Sequence, residues 1–244
     1  MFCMNFIYSN EIKCAICSEI IKFEYSEDVW GNKFHTNHEE EGLFCHSCSR
    51  IISKGVTQGG FIYSDGRHLC SLCQATVVKS DNAIKKSLSK VILQLNEVGI
   101  ILTSSDLLIS IVELNELNKI FERSLESKLK GYTEINEIKK QSPKYNIYIL
   151  NGLPKVEFEA TLAHELLHVW LNKNSFNLEK KIEEGFCNLG SYLIYKNNNT
   201  KFSKIHIESM ESNPSVIYGS GFRYMKKILI ENSWKDLLVM LSSL

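Results

Sequence analysis

The chain has 244 residues, of which 44% are hydrophobic, and its 28 Lys plus Arg balance 28 Asp plus Glu. Such a length supports one sizeable core plus a small metal-stapled module. Zero net charge without a basic block argues against a nucleic-acid binder. No apolar run approaches a membrane span, and Met1-Phe2-Cys3-Met4 lacks the features of a secretory signal, so a cytoplasmic protein is expected.

In chain order, the first feature is a set of three CxxC pairs, Cys14/Cys17, Cys45/Cys48 and Cys70/Cys73, with His35 and His38 between the first two. These eight side chains suffice for two closed tetrahedral zinc sites. Paired CxxC spacings without a secretory signal point to reduced thiols holding metal rather than to disulfides. The order of ligands resembles a LIM domain, in which two zinc fingers follow in series. One departure is the stretch from Glu39 to Phe44, which separates His38 from Cys45 where LIM domains usually place two residues. His46 and His68 are therefore substitutes to weigh against His38. A zinc module rich in short strands and turns is expected over residues 1–80, followed by a second domain over 81–244.

From Ala83 to Glu97, Ile84, Leu88, Val91, Ile92 and Leu95 recur at helical spacing. Ser104-Ser105-Asp106 reads as the start of a further helix through about Leu117. Gly131 to Leu150 reads as two strands around a turn at Gln141-Ser142-Pro143, with Tyr145–Leu150 the clearer strand.

Pro154 then stands where helices begin, and neither Gly nor Pro interrupts Lys155 to Lys173. Within this stretch lies His164-Glu165-Leu166-Leu167-His168, an HExxH motif. One helical turn separates the two histidines, so both imidazoles project from one face and can bind one metal. Glu165 lies beside them, placed to take a proton from water. Glu157, Thr161, Asn172 and these three residues form a polar stripe on a helix otherwise apolar, which should be largely buried. Two histidines and a carboxylate buried without partners would be costly, and a metal supplies the partner.

A third ligand is expected from the next helix. Asn174-Ser175-Phe176-Asn177 reads as a turn, with a helix from about Leu178 to Lys196. Glu184 lies as far past the turn as His168 lies before it, about 7 Å each way at the helical rise, so an antiparallel pair brings them level. Glu183 is the rival ligand or an acceptor behind one. Asn188, one turn on, can orient a ligand or simply face solvent. Lys196–Lys201 marks a surface loop, and His206 reads as a surface histidine. Cys3 and Cys187 are left over, Cys187 as a core residue. Tyr218 and Arg223, in Tyr218-Gly219-Ser220-Gly221-Phe222-Arg223, are candidates to donate to an oxyanion.

Asn151-Gly152-Leu153-Pro154, the HExxH stretch, Glu183-Glu184-Gly185-Phe186-Cys187 and the Tyr218–Arg223 segment occur in that order. The combination resembles the LIM-domain peptidases of the DA-one type, known as plant regulators of organ size. The resemblance covers about residues 99–232 and implies a His-His-Glu zinc peptidase of the gluzincin kind. Members of that family are ubiquitin-activated and cut proteins of growth and ubiquitin signalling. Their upstream ubiquitin-interacting helices have no counterpart here, so ubiquitin activation is not carried over. In peptidases of the HExxH kind, an edge strand near the active helix receives an extended substrate.

The expectation is therefore an α+β chain with a LIM-like module and a mainly helical peptidase domain carrying a short sheet. One catalytic and two structural zincs are expected, with a protein substrate and a ubiquitin-pathway or other protein partner. Zinc sits on His164, His168 and Glu184, with Glu165 as general base. The alternative is a catalytically silent LIM-type adaptor that keeps its zinc, although such a protein has no need of Glu165.

Overall fold

The computed structural model describes residues 11–38, 42–120, 129–136 and 144–242. Cys3, the turn at Gln141-Ser142-Pro143 and Glu39 to Glu41 lie outside the described residues. The chain divides into two compact units, Met1–Ala75 and Thr76–Leu244.

The first unit contains two antiparallel hairpins: β1 (Tyr25–Glu27) with β2 (Lys33–His35), then, after the short helix α1 (Lys54–Thr57), β3 (Gly60–Ile62) with β4 (His68–Cys70). A single helical turn, α2 (Ser71–Gln74), follows directly. The first two CxxC pairs build the same loop twice. In one, Cys14 N–H donates to Glu19 and Ser18 N–H returns to Cys14; in the other, Cys45 donates to Arg50 and Ser49 returns to Cys45. Each loop passes through a left-handed serine, Ser18 at φ 67° and Ser49 at φ 57°. Buried Asp28 accepts from the amides of Trp30, Asn32 and Ile51, tying the first hairpin to the second loop.

The second unit opens with α3 (Asp81–Glu97), then β5 (Leu107–Val112), α4 (Leu114–Ile120), β6 (Gly131–Asn136) and β7 (Lys144–Leu150). It continues with α5 (Lys155–Lys173), α6 (Lys180–Asn198), α7 (Lys201–Ser212), a π-turn at Val216–Ser220, α8 (Gly221–Glu231) and α9 (Trp234–Leu241). The sheet order is β5-β7-β6, with β5 parallel to β7 and β6 antiparallel to it. Tyr145, Ile147 and Ile149 of β7 are fully buried on the sheet face that packs toward α5.

Three expectations change here. The helix read from Ser104 to Leu117 is a strand followed by a short helix, because Leu107-Leu108-Ile109-Ser110-Ile111-Val112 is an apolar run rich in β-branched residues that gains a parallel partner in β7. The clearer strand, Tyr145–Leu150, is central, so among the described residues the free edge beside α5 belongs to β6. The expected loop from Lys196 to Lys201 contracts to Asn199 and Thr200. Asn199 ends α6 in a left-handed conformation and Thr200 caps α7.

The α5–α6 pair is the centre of the core. As α5 advances from Ala160 to His168, its partners on α6 fall from Ser191 to Glu183, so the helices run antiparallel. Ser191 donates to the Ala160 carbonyl at 2.8 Å. At Gly190, a Cβ would lie 2.8 Å from the Ala163 carbonyl, so a bare glycine lets the two backbones meet one residue before His164. The connection turns through Ser175 at φ 58°, while Phe176 stacks on Trp170 at 5.2 Å. The buried acids off the site are paired: Glu157 with Lys130 at 2.5 Å, Glu159 with Lys90 at 2.6 Å.

Candidate metal centres

Close packing of α5 on α6 sets His164, His168 and Glu184 around one point. The two Nε2 atoms lie 3.2 Å apart, and Glu184 Oε2 lies 3.3 Å from one and 3.7 Å from the other. Zinc–nitrogen bonds of about 2.0–2.1 Å in a tetrahedron separate neighbouring ligand atoms by about 3.3 Å, so the spacing suits one zinc ion.

Each of the three side chains is held from behind. Asn188 Oδ1 sits 3.1 Å from His164 Nδ1, and Glu183 Oε1 sits 3.0 Å from His168 Nδ1. Lys180 Nζ lies 2.8 Å from Glu184 Oε1. The outer nitrogens are thereby spoken for, and the inner ones are turned to the shared point. Among the described residues, buried Glu184 Oε2 has no hydrogen-bond partner. A buried carboxylate oxygen without a donor, facing two imidazole nitrogens, calls for a cation.

Electrostatics point the same way. Burial would depress the His168 imidazole, but Cys187, Glu183 and Glu184 around it hold it well above its ordinary value. Burial opposes ionisation of Glu184, yet the two histidines keep its carboxyl well below the usual carboxylate range. The bond from His168 also lowers Glu183. Lys180, depressed by burial but raised more by Glu184 and Glu183, reaches about 12.

Glu165 is buried beside the cluster and its Oε2 accepts from the Thr133 hydroxyl of β6 at 2.7 Å. A cleft of about 310 Å³ opens over these groups, lined by Gly131, Thr133 and Ile135 of β6, Leu171, Phe176 and Tyr218 among others. Tyr218 reaches it from the π-turn, whose Tyr218 carbonyl accepts from Asn188 Nδ2 at 3.4 Å. Arg223 does not line the cleft. Its guanidinium donates to the carbonyls of Glu211 and Asn213 at 2.7 and 2.8 Å, strapping the loop before the π-turn. His206 stacks on Tyr195 at 4.8 Å, and Cys187 is fully buried with its thiol pushed up to about 11 by burial.

Sequence reasoning passed over Thr133 and Lys180. Neither carried a usable signal, because a strand threonine and a helix-start lysine are ordinary until the fold aims them.

In the first unit, Cys14, Cys17, His35 and His38 form one group and Cys45, Cys48, Cys70 and Cys73 another. His38, not His46 or His68, stands with the first group. Burial pushes the Cys14 thiol up, and the amides of Cys17, His35 and Ile16 outweigh it, bringing it to about 6. The second group is fully buried, with Cys70 N–H directed at Cys45 Sγ and Cys73 N–H at Cys70 Sγ. Its thiols split, Cys45 and Cys70 lowered and Cys48 and Cys73 raised, since four packed sulfurs cannot all ionise without a cation among them. Both donor sets suit zinc.

Residues 96–196 match the family model described as "DA1-like: Protein DA1". The matched stretch spans β5 through most of α6 and so contains His164, His168 and Glu184, and over it the chain is similar to the DA1-like family. The chain is 26% identical over 220 residues to Protein DA1-related 2 of Arabidopsis thaliana, covering 74% of this chain and 41% of the relative. With Protein DA1-related 1 of the same plant it shares 24% over 298 residues, 93% and 53% of the two chains. The LIM domain-containing protein HDR3 of Oryza sativa subsp. japonica is 26% identical over 221 residues, 74% of this chain and 44% of that one. The chain thus spans about half the length of the curated relatives it matches. No solved structure matches. Among the described residues, no helix is long and apolar enough to cross a membrane.

Proposed function

We propose that the second unit is a zincin-type zinc endopeptidase that hydrolyses protein substrates, and that the first unit is a LIM-like module binding substrate or partner protein. The observation that carries this reading is the convergence of His164 Nε2, His168 Nε2 and a donorless Glu184 Oε2, with Glu165 held beside them. Zinc on these three ligands would act as a Lewis acid and make a bound water acidic near neutral pH. Glu165 accepts the proton of the attacking water and passes it to the leaving amine. The Tyr218 hydroxyl is the donor proposed for the developing oxyanion, since Tyr218 lines the cleft.

The free edge of β6 supports the seating of an extended peptide. Leu150 N–H bonds the Lys130 carbonyl, so the alternate residues Gly131, Thr133 and Ile135 direct their N–H and C=O groups away from β7. The same three residues line the cleft, and a strand laid there would cross the metal ligands. Two structural zincs on the Cys/His groups complete the proposal. Thiols kept as ligand sets suit a reducing, cytoplasmic setting.

The test is zinc content together with cleavage of a quenched fluorescent casein. Glu165→Gln keeps three zincs per chain and loses cleavage, and chelator abolishes cleavage in the parent. A zinc-loaded parent that cleaves no better than Glu165→Gln would instead favour the silent adaptor.

A further inference from the structure

Strand β6 does more at this site than offer an edge. Thr133 on its inner face places its hydroxyl 2.7 Å from Glu165 Oε2 and 3.2 Å from the Glu165 carbonyl. A threonine hydroxyl has one proton to give, and the shorter contact to a carboxylate is the stronger acceptor. The other carboxylate oxygen rests against Gly131: a Cβ there would lie 2.6 Å from Glu165 Oε1, nearer than real Cβ atoms come. Gly131 has no positive φ, so a side chain here would displace the Glu165 carboxylate and Thr161 and would not strain the backbone. One strand therefore holds one oxygen of the carboxylate by a hydrogen bond and leaves room for the other.

We infer that Thr133, with the gap at Gly131, is a positioning residue for Glu165, so that the strand receiving the substrate backbone also aims the base. The inference rests on the peptidase reading above. Both residues direct their backbone groups to the free edge while their side-chain face carries Glu165. A peptide paired along this edge steadies the two residues that fix the carboxylate, which links substrate seating to alignment of the base. A misaimed base costs turnover and leaves binding little changed.

The experiment compares the full-length, zinc-loaded parent with Thr133→Val and Thr133→Ser. Valine keeps the shape of threonine without the hydroxyl, and serine keeps the hydroxyl without the methyl. On the quenched casein, Thr133→Val is expected to lower kcat about ten- to a hundredfold, the scale of one hydrogen bond to a charged group, with KM within about twofold. Thr133→Ser restores most of the loss, and zinc content is the same in all three. A second readout needs no turnover. A peptide hydroxamate chelates zinc and places its own N–OH proton against the neighbouring carboxylate. Its affinity, measured by calorimetry, should fall about tenfold or more in Thr133→Val and recover in Thr133→Ser. Parent-level kcat and hydroxamate affinity in Thr133→Val, or equal losses in the valine and serine variants, would overturn the assignment. If no protein cleaves casein while the hydroxamate still separates valine from serine, the peptidase reading fails and the positioning of Glu165 by Thr133 stands.

Discussion

Glu183 and Glu184 are neighbours on α6 with unlike places at the proposed metal site, and separating them tests the whole proposal. Adjacent helical residues point about 100° apart, and only Glu184 turns an oxygen to the two Nε2 atoms. Glu183 reaches the far side of His168, where it accepts from Nδ1 at 3.0 Å with its side chain 29% exposed. Glu183→Ala removes an orienting partner and should weaken zinc binding about 10- to 100-fold, roughly 1.4–2.7 kcal/mol. Glu184→Ala leaves two protein ligands and strands Lys180 without its nearest partner. Its zinc affinity should fall by more than about a thousandfold, roughly 4 kcal/mol, well beyond the orienting class. Competition against a chromophoric chelator measures both. Thermal melting with and without added zinc provides a check, since the zinc-dependent rise in Tm should shrink in Glu183→Ala and vanish for this site in Glu184→Ala. A fully metallated Glu184→Ala beside a metal-poor Glu183→Ala would refute the reasoning and exchange the two roles.

Cys45→Ser and Cys70→Ser should each unfold the first unit, because structural zinc supplies much of the folding free energy of so small a module. A fragment of residues 76–244 should still fold and take up one zinc; loss of its metal would show that the two units depend on each other. Zinc uptake by the second unit should release a proton and weaken as pH falls: the His168 value is raised, so its proton is held in the metal-free fold and the metal must displace it. The same raised value makes protonated His168 a stabilising contribution to the metal-free fold, present at low pH and lost as pH rises through the folded value. Calorimetry in buffers of different ionisation enthalpy reads the proton directly, and pH-independent affinity would contradict it. Arg223→Ala should destabilise the fold by about 0.5–1.5 kcal/mol by removing the exposed bonds to the carbonyls of Glu211 and Asn213, with zinc content unchanged. A urea melt measures the first and metal analysis the second; loss of cleavage without loss of stability would return Arg223 to the chemistry.

What the sequence determined by itself was whatever depends on local spacing. One helical turn between His164 and His168 puts both imidazoles on one face in any helix, and equal distances from the turn bring Glu184 level with them in any antiparallel pair. The CxxC pairs likewise announce thiol clusters wherever they fold. The strand at Leu107–Val112 was not legible, because an apolar run pairs as a strand only if a partner such as β7 stands beside it. Tertiary structure alone decided which strand holds the free edge, that Thr133 and Gly131 grip Glu165, and that Lys180 backs Glu184. It also drew Arg223 away from the cleft to brace a loop. Ligands that share a helix face are fixed by the period of the helix, whereas the groups that aim them come from distant segments and meet only when the core closes.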